Sequence, residues 1–71
     1  MKVTFFADTD TLYIEFKPDP IAETRDLDEN TLLEFDAQGR VVALTIEHAS
    51  ERTGIPTFTY EQVPAGAPAP A

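Results

Sequence analysis

Apolar and polar residues alternate one for one along much of the first 47 positions. Val3 and Phe5 share a side of Lys2-Val3-Thr4-Phe5. Leu12, Ile14 and Phe16 do so in the next segment, Leu33 and Phe35 in Leu33-Glu34-Phe35-Asp36, and Val42, Leu44 and Ile46 in the run from Arg40 to Glu47. A period of two, rich in Val, Ile, Phe, Tyr and Thr, predicts half-buried strands. A weaker strand is expected from Glu23 to Leu27. No window long enough for a substantial helix spaces its apolar residues by three and four. The pattern predicts a mainly β fold: an antiparallel meander of about five strands with one short C-terminal helical turn.

The connections fit that reading. Ala7-Asp8-Thr9-Asp10-Thr11 is a turn cluster, because Asp side chains bond nearby backbone amides and tolerate tight geometry. Asp28-Glu29-Asn30 is a second, with Asn30 suited to a left-handed conformation. Ala37-Gln38-Gly39-Arg40 is a third, where Gly39 supplies positive φ. A two-residue Gln38-Gly39 turn sets Phe35 opposite Val42 and Leu33 opposite Leu44. A bulged turn sets Phe35 opposite Val41. The first is preferred, since it keeps one face uniformly apolar.

Lys17-Pro18-Asp19-Pro20 reads as a loop or sheet-edge crossing longer than the hairpin turns, because each proline lacks an amide donor and extends the residue before it. His48 to Gly54 is expected to close one helical turn with Gly54 as its stop, and Ile55 to Gln62 to form a last short strand. Residues 1–63 are expected to make a single small domain, and 64–71 a disordered Ala/Pro/Gly tail. In a sequential meander the strand from Arg40 to Glu47 lies at or near an edge, with open backbone groups.

Composition changes the picture in one respect. A chain of 71 residues with no cysteine and one histidine lacks disulfides, thiolate metal sites and an all-imidazole site, so small-domain logic points to association as the missing support. A two-fold homodimer is expected, with Val3, Phe5, Leu12, Ile14, Phe16, Leu33, Phe35, Val42, Leu44 and Ile46 on one sheet face. Thirteen acids against five bases give a formal charge of −8. That charge disfavours nucleic acid and anionic membrane surfaces and favours a basic protein partner. MKVTFF is too short for a signal-peptide core, and no apolar run approaches a membrane span, so a cytoplasmic location is expected.

Candidate chemistry is sparse. Asp8 and Asp10 lack the longer acid pattern, central glycine and terminal glutamate of a calcium loop. Asp26, Asp28, Glu29, Glu34 and Asp36 concentrate acid, but alternation sends Glu34 and Asp36 to the polar face, where solvated, ordinary carboxylates are expected. Glu47, His48 and Ser50 are nominally a triad, yet all lie within four residues, with no nucleophile elbow. Gly39, Gly54 and Gly66 are isolated, so no glycine loop for phosphate is formed. Tyr13 and Tyr60 are available for stacking a ligand, although Tyr13 reads as an ordinary outward strand residue. The expectation is a non-enzymatic binding protein with no catalytic, cofactor-binding or metal residues and no cofactor.

Met1-Lys2-Val3-Thr4-Phe5, the acid-bearing turn and Thr11-Leu12-Tyr13-Ile14 resemble the opening hairpin of a small bacterial family, domain of unknown function 2283. Ala22-Glu23-Thr24-Arg25 resembles its third strand. Leu33-Glu34-Phe35-Asp36, Gly39-Arg40-Val41-Val42, Ile46-Glu47 and Ala49-Ser50 resemble its final hairpin and terminal motif. The resemblance spans Met1 to about Arg52. It implies a compact sheet with a short C-terminal helical piece and brings no established activity. Some relatives are similar to antitoxin-like genes beside small toxin genes, which implies an acidic protein that neutralises a basic partner. The alternatives are a structural or regulatory homo-oligomer with no other partner and, more distantly, a small enzyme.

Overall fold

In the computed structural model, which describes residues 1–66, the alternating segments form five strands: β1 (Lys2–Phe6), β2 (Thr11–Glu15), β3 (Glu23–Asp28), β4 (Thr31–Phe35) and β5 (Val41–Glu47). One short helix follows, α1 (Ala49–Arg52). All neighbours pair antiparallel, in the spatial order β1-β2-β5-β4-β3. The mainly β, meander-like fold is as the alternation predicts.

The position of β5 is not. It lies between β2 and β4 rather than at an edge, and the edges are β1 and β3. The reason is compositional. β5 reads VVALTIE, with no charge before its last residue, and suits a place with neighbours on both sides. β3 reads ETRDLD and is exposed along its whole length, which is how edge strands resist unwanted pairing. To reach that edge, the chain from Phe16 to Ala22 passes the ends of β5 and β4. Phe16 N donates to Val42 O (2.8 Å) and Ala22 N to Phe35 O (2.8 Å). The proline-rich loop is therefore a crossing over two strands.

The β4–β5 hairpin takes the bulged turn, not the preferred two-residue one. Gly39 has φ 80°, its N–H donates to Asp36 O (3.1 Å), and Asp36 N donates to Arg40 O (2.9 Å). Phe35 consequently faces Val41, yet a second irregularity between Glu34 and Phe35 restores Leu33 opposite Leu44. The bulged alternative thus gives Phe35 its partner, and the preferred turn is right only for Leu33 and Leu44. Asn30 is not left-handed: among described non-glycine residues only Asp10 (φ 53°) and His48 (φ 54°) have positive φ. The second turn is held instead by Asn30 N donating to the Asp28 carboxylate (2.9 Å).

α1 ends at Thr53, which is extended (φ −135°) and returns both its N–H and its hydroxyl to Ala49 O, each at 2.8 Å. Thr53, not Gly54, is the stop. Residues Ile55 to Gln62 form no strand. Both sides of β5 are already occupied, and Pro56 and Pro64 bracket the segment with positions that cannot donate to a ladder. Residues 67–71 of the expected tail lie outside the described residues.

Candidate functional site

Strand register sorts the side chains onto two unlike faces. On one, the rows run Val3–Ile14–Leu44–Leu33–Arg25 and Phe5–Leu12–Ile46–Thr31. Phe16, Val42 and Phe35 continue it by the two-residue period. Leu12, Phe35, Val42 and Thr31 are buried. Val3, Phe5, Ile14, Phe16, Leu33, Leu44 and Ile46 are only half-buried. Leu44 and Ile46 belong to the central strand, so their partial exposure means that the described residues leave the middle of this face incompletely covered.

Among the described residues, cover is found at its margins. At one end α1 spans from the β1–β2 turn to the start of β4. Ala49 N donates to Asp10 O (2.9 Å), and Arg52 donates to Thr31 Oγ1 and pairs with Asp28 (3.3 Å). Ala49 is fully buried there. At the β3 edge, the Arg25 guanidinium lies 3.9 Å from the centre of the Phe35 ring, a contact worth about 0.5–1 kcal/mol at an exposed site.

The opposite face is polar and acidic. Its rows run Lys2–Glu15–Ala43–Glu34–Thr24 and Thr4–Tyr13–Thr45–Leu32–Asp26, and Thr11 faces Glu47 in the next. Ala43 is buried at the centre, between Glu15 and Glu34. Partial burial, and then the charges of Glu34 and Glu15, hold the Tyr13 hydroxyl above its ordinary pKa. Toward the β3–β4 turn this face opens into a shallow cleft of about 90 Å³ lined by Asp26, Asp28, Glu29, Thr45 and Glu47, among others. Of the sequence concentration, Asp26 and Glu34 lie on this face and Glu29 lines its cleft, whereas Asp28, opposite Thr31 and paired with Arg52, belongs to a row of the other face.

Asp36 departs from that group. It is 6% exposed, and its carboxylate accepts from Gln38 N, Arg40 N and Arg40 Nε, each at 2.9 Å. The expectation of a solvated, ordinary carboxylate fails because the hairpin loop curls around it. Donation from the Arg40 backbone, more than the Arg40 side chain and the Gln38 N–H, holds its pKa below the ordinary 3.8. Asp28 is also lowered, first by the Asn30 N–H. A depressed folded-state pKa contributes stability that is complete above the unfolded value and is lost as pH falls through the folded one. Stability should therefore decline below pH 3.8. Asp36→Asn should flatten that decline, read as urea midpoints at about pH 5 and about pH 3. Equal slopes in the two proteins would show that Asp36 does not drive it.

The nominal triad is not assembled. The Ser50 hydroxyl donates to Asp10 (2.7 Å), and Ser50 N donates to the same carboxylate (3.0 Å). His48 Nδ1 is turned toward Glu51, 3.9 Å away, and is largely exposed. Asp10 thus uses its chemistry to tie the first turn to α1, a pairing 40 residues apart that local pattern does not reveal. Asp8 stays in the exposed turn. Tyr60 is exposed, with its hydroxyl on Gln62 (3.2 Å). Among the described residues no three His, Asp or Glu side chains are grouped as metal ligands, and no helix is long and apolar enough to cross a membrane.

The tie between Asp10 in the first turn and the Ala49-Ser50 motif joins the two ends of the segment that carries the family resemblance. Residues 2–50 match the family model described as Protein of unknown function (DUF2283). The chain belongs to this family. The match takes in all five strands and ends at Ser50, the partner of Asp10. The matched segment covers the sheet and both of its faces and leaves the chain from Glu51 onward outside. No curated protein and no solved structure matches the chain.

Proposed function

We propose that the protein is a non-enzymatic binding module whose acidic sheet face receives a basic protein partner, an antitoxin-like arrangement. The supporting observation is the segregation of charge: Glu15, Glu34, Glu47 and Asp26 share one face with a single lysine, Lys2, while the rows of the other face are mainly apolar. A shallow cleft with Asp26, Glu29 and Glu47 in its wall suits an extended Lys or Arg side chain better than a small-molecule substrate.

Capture of partners from the native cell, followed by mass spectrometry, tests this. A basic protein should be recovered, and its association should weaken steeply as salt rises, since screening shortens the reach of the acidic face. The combined change Asp26→Asn, Glu34→Gln, Glu47→Gln should lower affinity by at least about tenfold without altering the fold, each lost charge contact contributing on the order of 1 kcal/mol. Recovery of neutral or acidic partners only, or binding indifferent to salt, would overturn the proposal. The open apolar face favours a second reading, an oligomer with no other partner.

A further inference from the structure

From the uncovered face we infer that a second copy of this chain seats on it, so that two sheets stack apolar side to apolar side about a two-fold axis. The inference concerns the face opposite the acidic one and stands whether or not a basic partner exists.

Surface area supports it first. A compact folded chain of 7.8 kDa exposes about 4,400 Å² by the general scaling of surface with mass. This chain exposes 5503 Å². Part of the surplus, about 1,100 Å² by that scaling, belongs to the segment after Gly54, where Phe58 and Tyr60 stand exposed. The rest is what a sheet one layer thick leaves open, in a molecule whose shortest extent is 20 Å. A standard interface takes about 800 Å² from each partner, and only the share of the surplus that the open sheet carries counts toward it.

Charge supports it independently. A chain of net charge −8 repels its own copies, and stacking is feasible only where acids do not meet. Across β1, β2, β5 and β4 the apolar rows contain no Asp or Glu. The charged residues on this side stand at its margins, Glu23, Arg25 and Asp28 on the edge strand β3 and Arg52 in α1. Face-to-face stacking therefore sends both acidic faces outward, as far apart as the assembly allows. Two aligned sheets about 10 Å apart would interdigitate Ile14, Leu33 and Leu44 with their copies. Such contact is self-complementary, as a two-fold interface requires.

Two measurements decide it. Light scattering on the full chain at micromolar concentration should give twice 7.8 kDa. Because the chain has no cysteine, single thiols report cover site by site. Leu44 and Thr45 are adjacent, on opposite faces, and both half-buried. The thiol of Leu44→Cys should alkylate at least about tenfold more slowly than that of Thr45→Cys, and dilution should erase the difference as mass action dissolves the dimer. A one-chain mass with both thiols equally reactive overturns the inference. So does a one-chain mass with position 44 protected, which would mean that residues 55–66 fold over the face. Two chains with protection at position 45 would place the interface on the acidic side and also overturn it.

Discussion

Leu44→Glu should abolish cooperative folding, whereas Thr45→Glu, one residue along, should leave the chain folded. Leu44 is central in every direction: mid-strand in β5, with Ile14 and Leu33 as its row partners. Half-buried in the single chain, Leu44 becomes fully buried in the proposed dimer, where the change removes about 1.5–3 kcal/mol of apolar burial and sets a carboxylate among side chains that offer it no hydrogen bond. Total stability at this length is on the order of 4–11 kcal/mol, so little would remain. Thr45 points to the face that already carries Glu47 and Glu34, and a further acid there should cost about 0.5 kcal/mol or less, as for most surface changes. Circular dichroism with urea titration reads both. A sigmoidal transition near the parental midpoint in the Leu44→Glu protein would show that this face is not the core.

Asp10→Ala should lower stability by about 2–3 kcal/mol, more than any other acid replaced singly in an exposed turn. Two effects add. Two donors of Ser50 lose their carboxylate, and hydrogen bonds to charged groups are worth about 1.5–3 kcal/mol, at the lower end when exposed to solvent. Alanine must also hold φ near 53°, a left-handed conformation that costs most residues about 1–2 kcal/mol and Asp or Asn less. Asp10→Asn should therefore recover the backbone part and one acceptor, and Ser50→Ala should cost only the hydroxyl bond. Urea unfolding of the three variants gives the ordering, and faster amide exchange at Ala49 and Ser50 would locate the damage at α1. An Asp10→Ala protein as stable as the parent would reduce the tie to an incidental contact.

The alternation of Leu12-Tyr13-Ile14 or Leu44-Thr45-Ile46 is a local signal, and it placed the strands and their inner faces to within a residue or two. The order of strands depends on which pairs bury most, a comparison across the whole chain. There the nearly uncharged composition of β5 and the charged composition of β3 were the available clues to centre and edge. Asp36 reads like Glu34 by alternation. What separates them is the bulged loop after Asp36, where Gly39 permits a turn that aims two backbone amides and the Arg40 side chain at one carboxylate. The apolar face was legible for the same reason as the strands. The gathering of Asp26, Glu29 and Glu47 around one cleft was not, because Glu47 joins it through β5–β4 pairing at long sequence separation.

The central place of β5 also sets the order in which the molecule can come into being. Before Val41–Glu47 leaves the ribosome, β1–β2 and β3–β4 exist only as two separate hairpins joined by the Lys17–Ala22 crossing, and neither contacts the other except through the strand still to be made. Isolated hairpins are marginal in water, so the nascent chain has no stable partial fold to rest in. Arrival of β5 closes both ladders at once. Pairing of the two hairpins into one sheet consequently waits for β5 and is slowed by the chain entropy of joining Thr11 to Glu47.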